Sequence, residues 1–155
     1  MELFMSKQWK VYLSGEIHSA WRKEIIDTAA KENLPVEFYF PVTIHENSDK
    51  CGVEILGSES DKFWHDHKGG KMNAIRTRTL LEDSDIVVVR FGDKYKQWNA
   101  AFEAGYAAAL NLPLIVQHSK EDIHALKEVD AAASAVCETV EQIVGTLKYV
   151  ITGKL

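Results

Sequence analysis

Glu103 stands in a run of small and apolar residues, Ala100-Ala101-Phe102-Glu103-Ala104-Gly105-Tyr106-Ala107-Ala108-Ala109. Carboxylates are among the groups least often buried unless something pairs with them. On a helix, Ala100 and Ala107 share the face of Glu103, three residues before it and four after it. The positions at helical spacing offer no salt-bridge partner. A carboxylate so placed is a candidate nucleophile or general base. A structural carboxylate paired with an arginine or with backbone N–H groups is the alternative. Asn99, one turn earlier, has an amide that could orient Glu103.

Other groups with chemical potential lie in four segments. Ser14-Gly15-Glu16-Ile17-His18-Ser19 puts a glycine and polar side chains before a helix start, where free N–H groups and the helix dipole suit a phosphate or a polar sugar. Ser19 is equally an ordinary N-cap, with Arg22 solvated. The turn has neither G-x-G-x-x-G nor G-x-x-x-x-G-K-[ST], so no dinucleotide or nucleoside triphosphate is indicated. Asn73 and Arg76, three apart, share a helix face that can look into a cleft or into solvent. In Gly92-Asp93-Lys94-Tyr95-Lys96-Gln97-Trp98-Asn99, Tyr95 and Trp98 can stack on a base or simply cover the sheet edge. His65-Asp66-His67 looks like a metal motif, but alternate residues in an extended chain diverge and further ligands at typical spacing are missing. A polar lid is the expectation there, with no metal.

These groups need elements to hold them. Lys10–Ser14 reads as a first strand, followed after Gly15 by a helix over Ser19–Glu32 with Trp21, Ile25, Ile26 and Ala29 as its stripe. Asn33 fits that helix's end, Pro35 prevents its return, and Val36–Phe40 is a second strand. Pro41–Gly70 reads as a long irregular segment with at most a helical turn at Val53–Leu56, long enough to be a lid or binding loop. A helix over Lys71–Glu82, a strand over Ile86–Phe91 and the Glu103 helix, ending near Asn111, come next. Pro113–Val116, a short helix at Asp122–Val129, Ala135–Glu138 and a final amphipathic helix complete the pattern. Short apolar strands alternating with helices mean a parallel sheet covered on both faces. The expected fold is therefore α/β, a flavodoxin-like or Rossmann-like three-layer sandwich with a five-stranded parallel sheet, in one domain spanning 1–155. Ligands of such sheets sit beyond the strands' C-terminal ends at the switch point, where the Gly15 turn, the loop after strand two and the Gly92–Asn99 segment should meet.

The chain has 155 residues, 46% hydrophobic and 26% charged, with a formal net charge of -5. That composition is ordinary for a soluble domain and, without a basic run, speaks against nucleic acid or membrane surfaces as partners. No apolar stretch approaches the ~18–20 residues of a membrane span. Met1–Lys7 lacks a signal-peptide layout. Cys51 and Cys137 lie far apart with no metal or disulfide spacing, so both are expected as buried thiols in a reducing cytoplasm.

Taken together, Val11–Ser19, Asn73-Ala74-Ile75-Arg76-Thr77, Phe91–Ala100 and Phe102-Glu103-Ala104-Gly105-Tyr106-Ala107 resemble the nucleoside 2-deoxyribosyltransferase superfamily, and within it the YtoQ-type branch. The resemblance covers almost the whole chain. It implies N-glycosidic chemistry on a small-molecule nucleoside or nucleotide, without a cofactor. Glu103 aligns with the family's nucleophile, Tyr12 with its strand-one aromatic, and the Gly15 turn with its sugar- or phosphate-facing loop. By the same resemblance a homo-oligomer, dimer or larger, is expected, with neighbours completing the site. One departure stands out. The family's base-contacting aspartate precedes the strand-three aspartate by about eight residues, and counting back from Asp85 reaches Thr77. Asp66, His65, His67 or Asp49 are the candidate substitutes.

The expected catalytic set is thus Glu103, Asn99 and Asp66. The expected substrate wall is Tyr12, Gly15, Glu16, His18, Ser19, Asn73, Arg76, Gly92, Tyr95 and Trp98. Two rival readings remain: a noncatalytic nucleotide-binding or sensing module on the same fold, and a hydrolase of an NAD-type pyridine nucleoside.

Overall fold

A computed structural model describes residues 7–155; the N-terminal stretch read for a signal peptide lies, up to Ser6, outside them. Five parallel strands form one sheet in the order β2-β1-β3-β4-β5. In chain order the elements are β1 (Trp9–Gly15), α1 (Trp21–Lys31), β2 (Val36–Tyr39), α2 (His45–Leu56), α3 (Lys62–Glu82), β3 (Ile86–Arg90) and α4 (Trp98–Ala109). They are followed by β4 (Leu114–Gln117), a 3₁₀ turn (Lys120–Asp122), α5 (Lys127–Ala132), β5 (Ala135–Cys137) and α6 (Val140–Thr152). The α/β three-layer expectation holds.

Strand parity divides the core. Val11, Leu13, Ile86 and Val88 point to one face, against Trp21 and Ile25 of α1 and Ile143, Val144 and Leu147 of α6. Tyr12, Val87 and Val89 point to the other, against Ala100, Ala104 and Ala107 of α4 and Leu81 of α3. The alanines of α4 are therefore a close-packing surface, which explains their run. The chain builds outward from β1 to β2, then returns past β1 to β3 and onward. The crevice of a doubly wound sheet opens at that reversal, between the ends of β1 and β3.

The Pro41–Gly70 segment corrects the sequence reading. It is largely helical: α2 occupies its first half, and α3 begins at Lys62 rather than Lys71. Asp61 caps α3 by accepting from the N–H groups of Phe63 and Trp64. The two helices cross where Gly52 meets Gly69; a Cβ on Gly52 would stand 2.4 Å from the Gly69 nitrogen. Asn73 Nδ2 donates to the Ser48 carbonyl at 2.9 Å, and Lys68 pairs with Glu59 at 2.7 Å. Before Leu80 and Leu81 at the end of α3, the hairpin shows no core-facing apolar stripe, since Ile55, Leu56, Phe63 and Trp64 are exposed. Backbone proximity through glycine replaces side-chain burial, and a periodicity search does not register it. Of the two free thiols, Cys137 is buried as expected, whereas Cys51 is only half-buried.

Candidate active site

Parity on β1 sends Tyr12 and Ser14 to the α4 face, and Ser14, one residue before the strand's end, meets Glu103. The Ser14 hydroxyl donates to Glu103 Oε2. Burial pushes the Glu103 carboxyl above its ordinary value, while the Ser14 hydrogen bond and the nearby Arg22 guanidinium pull it down. The orienting contact expected of Asn99 is thus supplied by Ser14, a residue the sequence reading did not select. Asn99 stands exposed at the start of α4 and lines the same cavity. Ser14 was findable from its place two residues after Tyr12 on one strand.

After Ser14 the chain turns at Gly15 with φ +149°, and a Cβ there would stand 2.6 Å from the Arg90 carbonyl oxygen. Only glycine fits so strained and tight a position. Arg22 clamps the turn from beneath: its guanidinium donates to the carbonyls of Leu13 (3.2 Å), Gly15 (3.0 Å) and Glu16 (2.6 Å) and lies over the Trp21 ring. Arg22 is buried rather than solvated. Burial lowers its pKa to about 10, with Tyr12, Glu16 and Glu103 opposing that drop, so it remains a cation at neutral pH.

Ser19 does not cap α1; Ala20 holds the cap position without a side-chain bond. The Ser19 hydroxyl and N–H, the His18 N–H and Arg90 Nη1 all bond the Glu16 carboxylate instead. Burial pulls Glu16 upward, but these donors outweigh it and hold the carboxyl below its ordinary range.

A cavity of about 710 Å³ opens above these residues. Its walls bring together Gly15, Glu16 and His18 from the first turn, Asp66, Asn73 and Arg76 from α3, and Tyr95, Trp98, Asn99 and Glu103 around α4. Tyr95, with φ 65°, sets its ring 5.1 Å from that of His18, and His18 lies 5.7 Å from His45, another wall residue the sequence reading passed over. A second cavity of about 310 Å³, toward Leu81 and Tyr106, also reaches Glu103 and Thr77.

Three expected wall residues do not line the main cavity. Tyr12 is fully buried beneath it; its hydroxyl has no hydrogen-bond partner, and Thr77, though near, falls short of that geometry. Burial and the charge of Glu103 push the Tyr12 phenol well above its ordinary range, so it faces Glu103 as a neutral group. Ser19 is taken up by Glu16. Gly92 lies behind the wall, its N–H bonded to Gln97 Oε1 at 3.1 Å and its open α-position against Arg90 and Glu16.

Asp66 lines the cavity, but Lys62 at 2.8 Å and His65 at 3.2 Å hold its carboxyl below the ordinary range. A carboxylate kept ionised is a poor proton donor, which counts against Asp66 as the acid. His67 turns away to stack on Phe63 at 5.5 Å, while His65 faces Asp66. The histidines therefore diverge as expected, now because residues two apart lie on opposite sides of a helix. Asp49, His65 and Asp66 present ligand atoms within 4.8 Å of one another, the one such trio among the described residues. Lys62 already neutralises one member of it.

Residues 12–151 match the family model described as "Nucleoside 2-deoxyribosyltransferase YtoQ". An uncharacterized protein YtoQ from Bacillus subtilis (strain 168) is 42% identical over 139 residues, covering 90% of this chain and 94% of that one. A conserved protein from Enterococcus faecalis V583 shares the fold with a TM-score of 0.63 at 15% identity, over 93% of this chain and 99% of that one. A 2-deoxyribosyltransferase from the psychrotolerant bacterium Bacillus psychrosaccharolyticus does so with a TM-score of 0.55 at 18% identity, over 87% and 90%.

Proposed function

This chain belongs to the YtoQ nucleoside 2-deoxyribosyltransferase family, and on that premise we propose that it cleaves or exchanges the N-glycosidic bond of a nucleoside through Glu103. One observation carries the reading. A carboxylate in an otherwise alanine-lined helix face is hydrogen-bonded by Ser14 and opens onto the main cavity at the sheet's switch point. Glu103 attacks the sugar C1′ as the bond to the base breaks, giving a covalent sugar–enzyme ester through an oxocarbenium-like transition state. A second base, or water, then displaces Glu103. Two inversions at one carbon give net retention.

The chain's own residues supply positioning and charge. Ser14 fixes the attacking oxygen, and the Arg22 charge behind it opposes the upward pull of burial on the carboxyl. Tyr95 and Trp98 at the mouth offer faces for the departing base. With Thr77 in place of an acid and Asp66 held as a carboxylate, the imidazoles of His18 and His45 are the wall groups that can pass a proton to that base. The protein acts as one catalytic domain, in a cytoplasmic assembly of two or more copies. Among the described residues no helix is long and apolar enough to cross a membrane.

The test is a panel of deoxynucleosides, each with and without a second free base, followed by chromatography. Base release or exchange is expected, with a loss of about a thousandfold or more in Glu103→Gln, since a nucleophile's removal deletes the covalent route. Full activity in Glu103→Gln would sink the assignment. A nucleotide bound tightly and returned intact would favour the noncatalytic module, and nicotinamide release from a pyridine nucleoside would favour the NAD-type hydrolase.

A further inference from the structure

The turn between β1 and α1 assembles donors of the kind that receive an anion. The N–H groups of His18 and Ser19, the Ser19 hydroxyl and Arg90 Nη1 converge on one place. Backbone N–H groups ahead of a helix, a hydroxyl and a guanidinium are the equipment of a phosphate site. Here the occupant belongs to the chain. Glu16 Oε2 accepts from the His18 N–H at 2.5 Å and the Ser19 N–H at 3.0 Å, and Oε1 accepts from the Ser19 hydroxyl and from Arg90 at 3.2 Å. The Glu16 side chain is only 8% exposed, yet it borders the main cavity. Its backbone carbonyl is pinned as well, by Trp21 Nε1 at 2.9 Å and Arg22 Nη1 at 2.6 Å. The carboxylate therefore cannot swing away without giving up four donors and straining a turn already fixed at Gly15.

We propose that Glu16 is a specificity-determining residue: its carboxylate fills the anion-binding turn from within, so the site takes nucleosides with a free 5′-hydroxyl and turns away nucleoside 5′-monophosphates. The inference rests on Glu103 facing the sugar C1′, which sets the sugar's far end toward the turn two residues beyond Ser14. A 5′-hydroxyl can donate a hydrogen bond to Glu16. A phosphate dianion meets a carboxylate in the place it needs and finds the donors already engaged. A like charge placed against one of two otherwise identical ligands is an effective way to separate them. Of the other cations on the wall, Lys62 is paired with Asp66, Lys96 lies over the Trp98 ring at 5.7 Å, and Arg76 stands across the cavity on α3.

The experiment is calorimetric titration of the full chain carrying Glu103→Gln, so that ligand is not consumed, with 2′-deoxyadenosine and its 5′-monophosphate, and with other bases in the same pairs. The nucleoside is expected to bind about tenfold or more tighter than the monophosphate, with Glu16→Ser narrowing or inverting that preference by about tenfold. Adding Arg90→Met to Glu16→Ser should remove the gain. A monophosphate that binds the Glu16 protein as tightly as the nucleoside, or a preference unmoved by Glu16→Ser, would overturn the proposal. Binding of neither ligand to any variant would sink the nucleoside reading instead. Inorganic phosphate then decides the turn alone: uptake by Glu16→Ser and not by the parent supports Glu16 as its occupant, and no uptake by either refutes it. If Glu16→Ser does not fold, Glu16→Gln serves in both titrations, with a smaller gain expected because the neutral amide still fills the space.

Discussion

Glu103 is held between two opposed influences, and that balance sets a pH dependence. Burial raises its carboxyl above the ordinary value of 4.5, while the Ser14 hydroxyl and the Arg22 charge lower it. As a nucleophile it must be ionised, so kcat/KM should rise with pH through a midpoint above 4.5 in the free enzyme. Ser14→Ala removes the largest lowering influence and should move that acidic limb to still higher pH. Its rate loss should accordingly be greater at pH 5 than at pH 8, measured as base release under kcat/KM conditions. An acidic limb unmoved by Ser14→Ala would separate Glu103's titration from the rate. Glu103 was legible in the sequence because a lone carboxylate among alanines violates the pattern around it. Ser14 and Arg22 were less so: their roles depend on which strand face meets α4 and on which carbonyls the turn leaves unpaired, and neither is written in spacing.

The strands, α1, α4 and α6 follow apolar runs and stripes, because each buries side chains against the sheet. The stretch holding α2 and the first half of α3 lacks such a stripe and reads as loop apart from a turn at Val53–Leu56, although the Asp61 cap is available as a signal. Its stability depends on the Gly52–Gly69 approach. Gly52→Ala should cost about 1–3 kcal/mol in urea unfolding, as overpacking does, because the new Cβ would press on the Lys68–Gly69 backbone and on the Lys68 Cβ, which moves with it. Since Asp66, Asn73 and Arg76 ride on this hairpin, KM should rise more than kcat falls. A fully stable Gly52→Ala protein would show that the helices can part freely. At the far side, buried His118 at the end of β4 bonds the Ser119 carbonyl at 2.7 Å and Asp130 of α5 at 2.9 Å. Burial lowers its pKa, but these two partners outweigh it and leave the pKa raised above 6.5. A raised histidine contributes its full stability below the unfolded value and loses it as pH climbs through the folded one. The wild-type protein should therefore lose stability from pH 6.5 upward, and His118→Asn should flatten that slope at a cost of about 1.5–3 kcal/mol at pH 6. Denaturant midpoints taken across this range in both proteins check it.

At the scale of the whole molecule, apolar side chains gather where the α2–α3 hairpin turns outward. Ile55, Leu56, Phe63 and Trp64 are all more than half exposed, and Phe63 packs edge-on to Trp64 at 5.0 Å and stacks on His67. Large exposed apolar side chains gathered at one hairpin are a candidate interface. A second copy of the chain is the occupant expected here, and the net charge of -5 is small enough not to forbid self-association. Light scattering coupled to size exclusion should then show a dimer or larger species at micromolar concentration. Paired Phe63→Ser and Trp64→Ser substitutions should shift it toward monomer while circular dichroism stays native, because both side chains are more than half exposed and lie outside the two core clusters. The patch lies on the same α3 that carries Asp66 into the cavity, so a neighbour docked there would bear on the open end of the site. Activity per chain should consequently fall on dilution in step with dissociation, and the paired variant should show the low value at every concentration. A wild-type protein that stays monomeric at high concentration, with activity proportional to chain number throughout, would mean that each copy completes its own site.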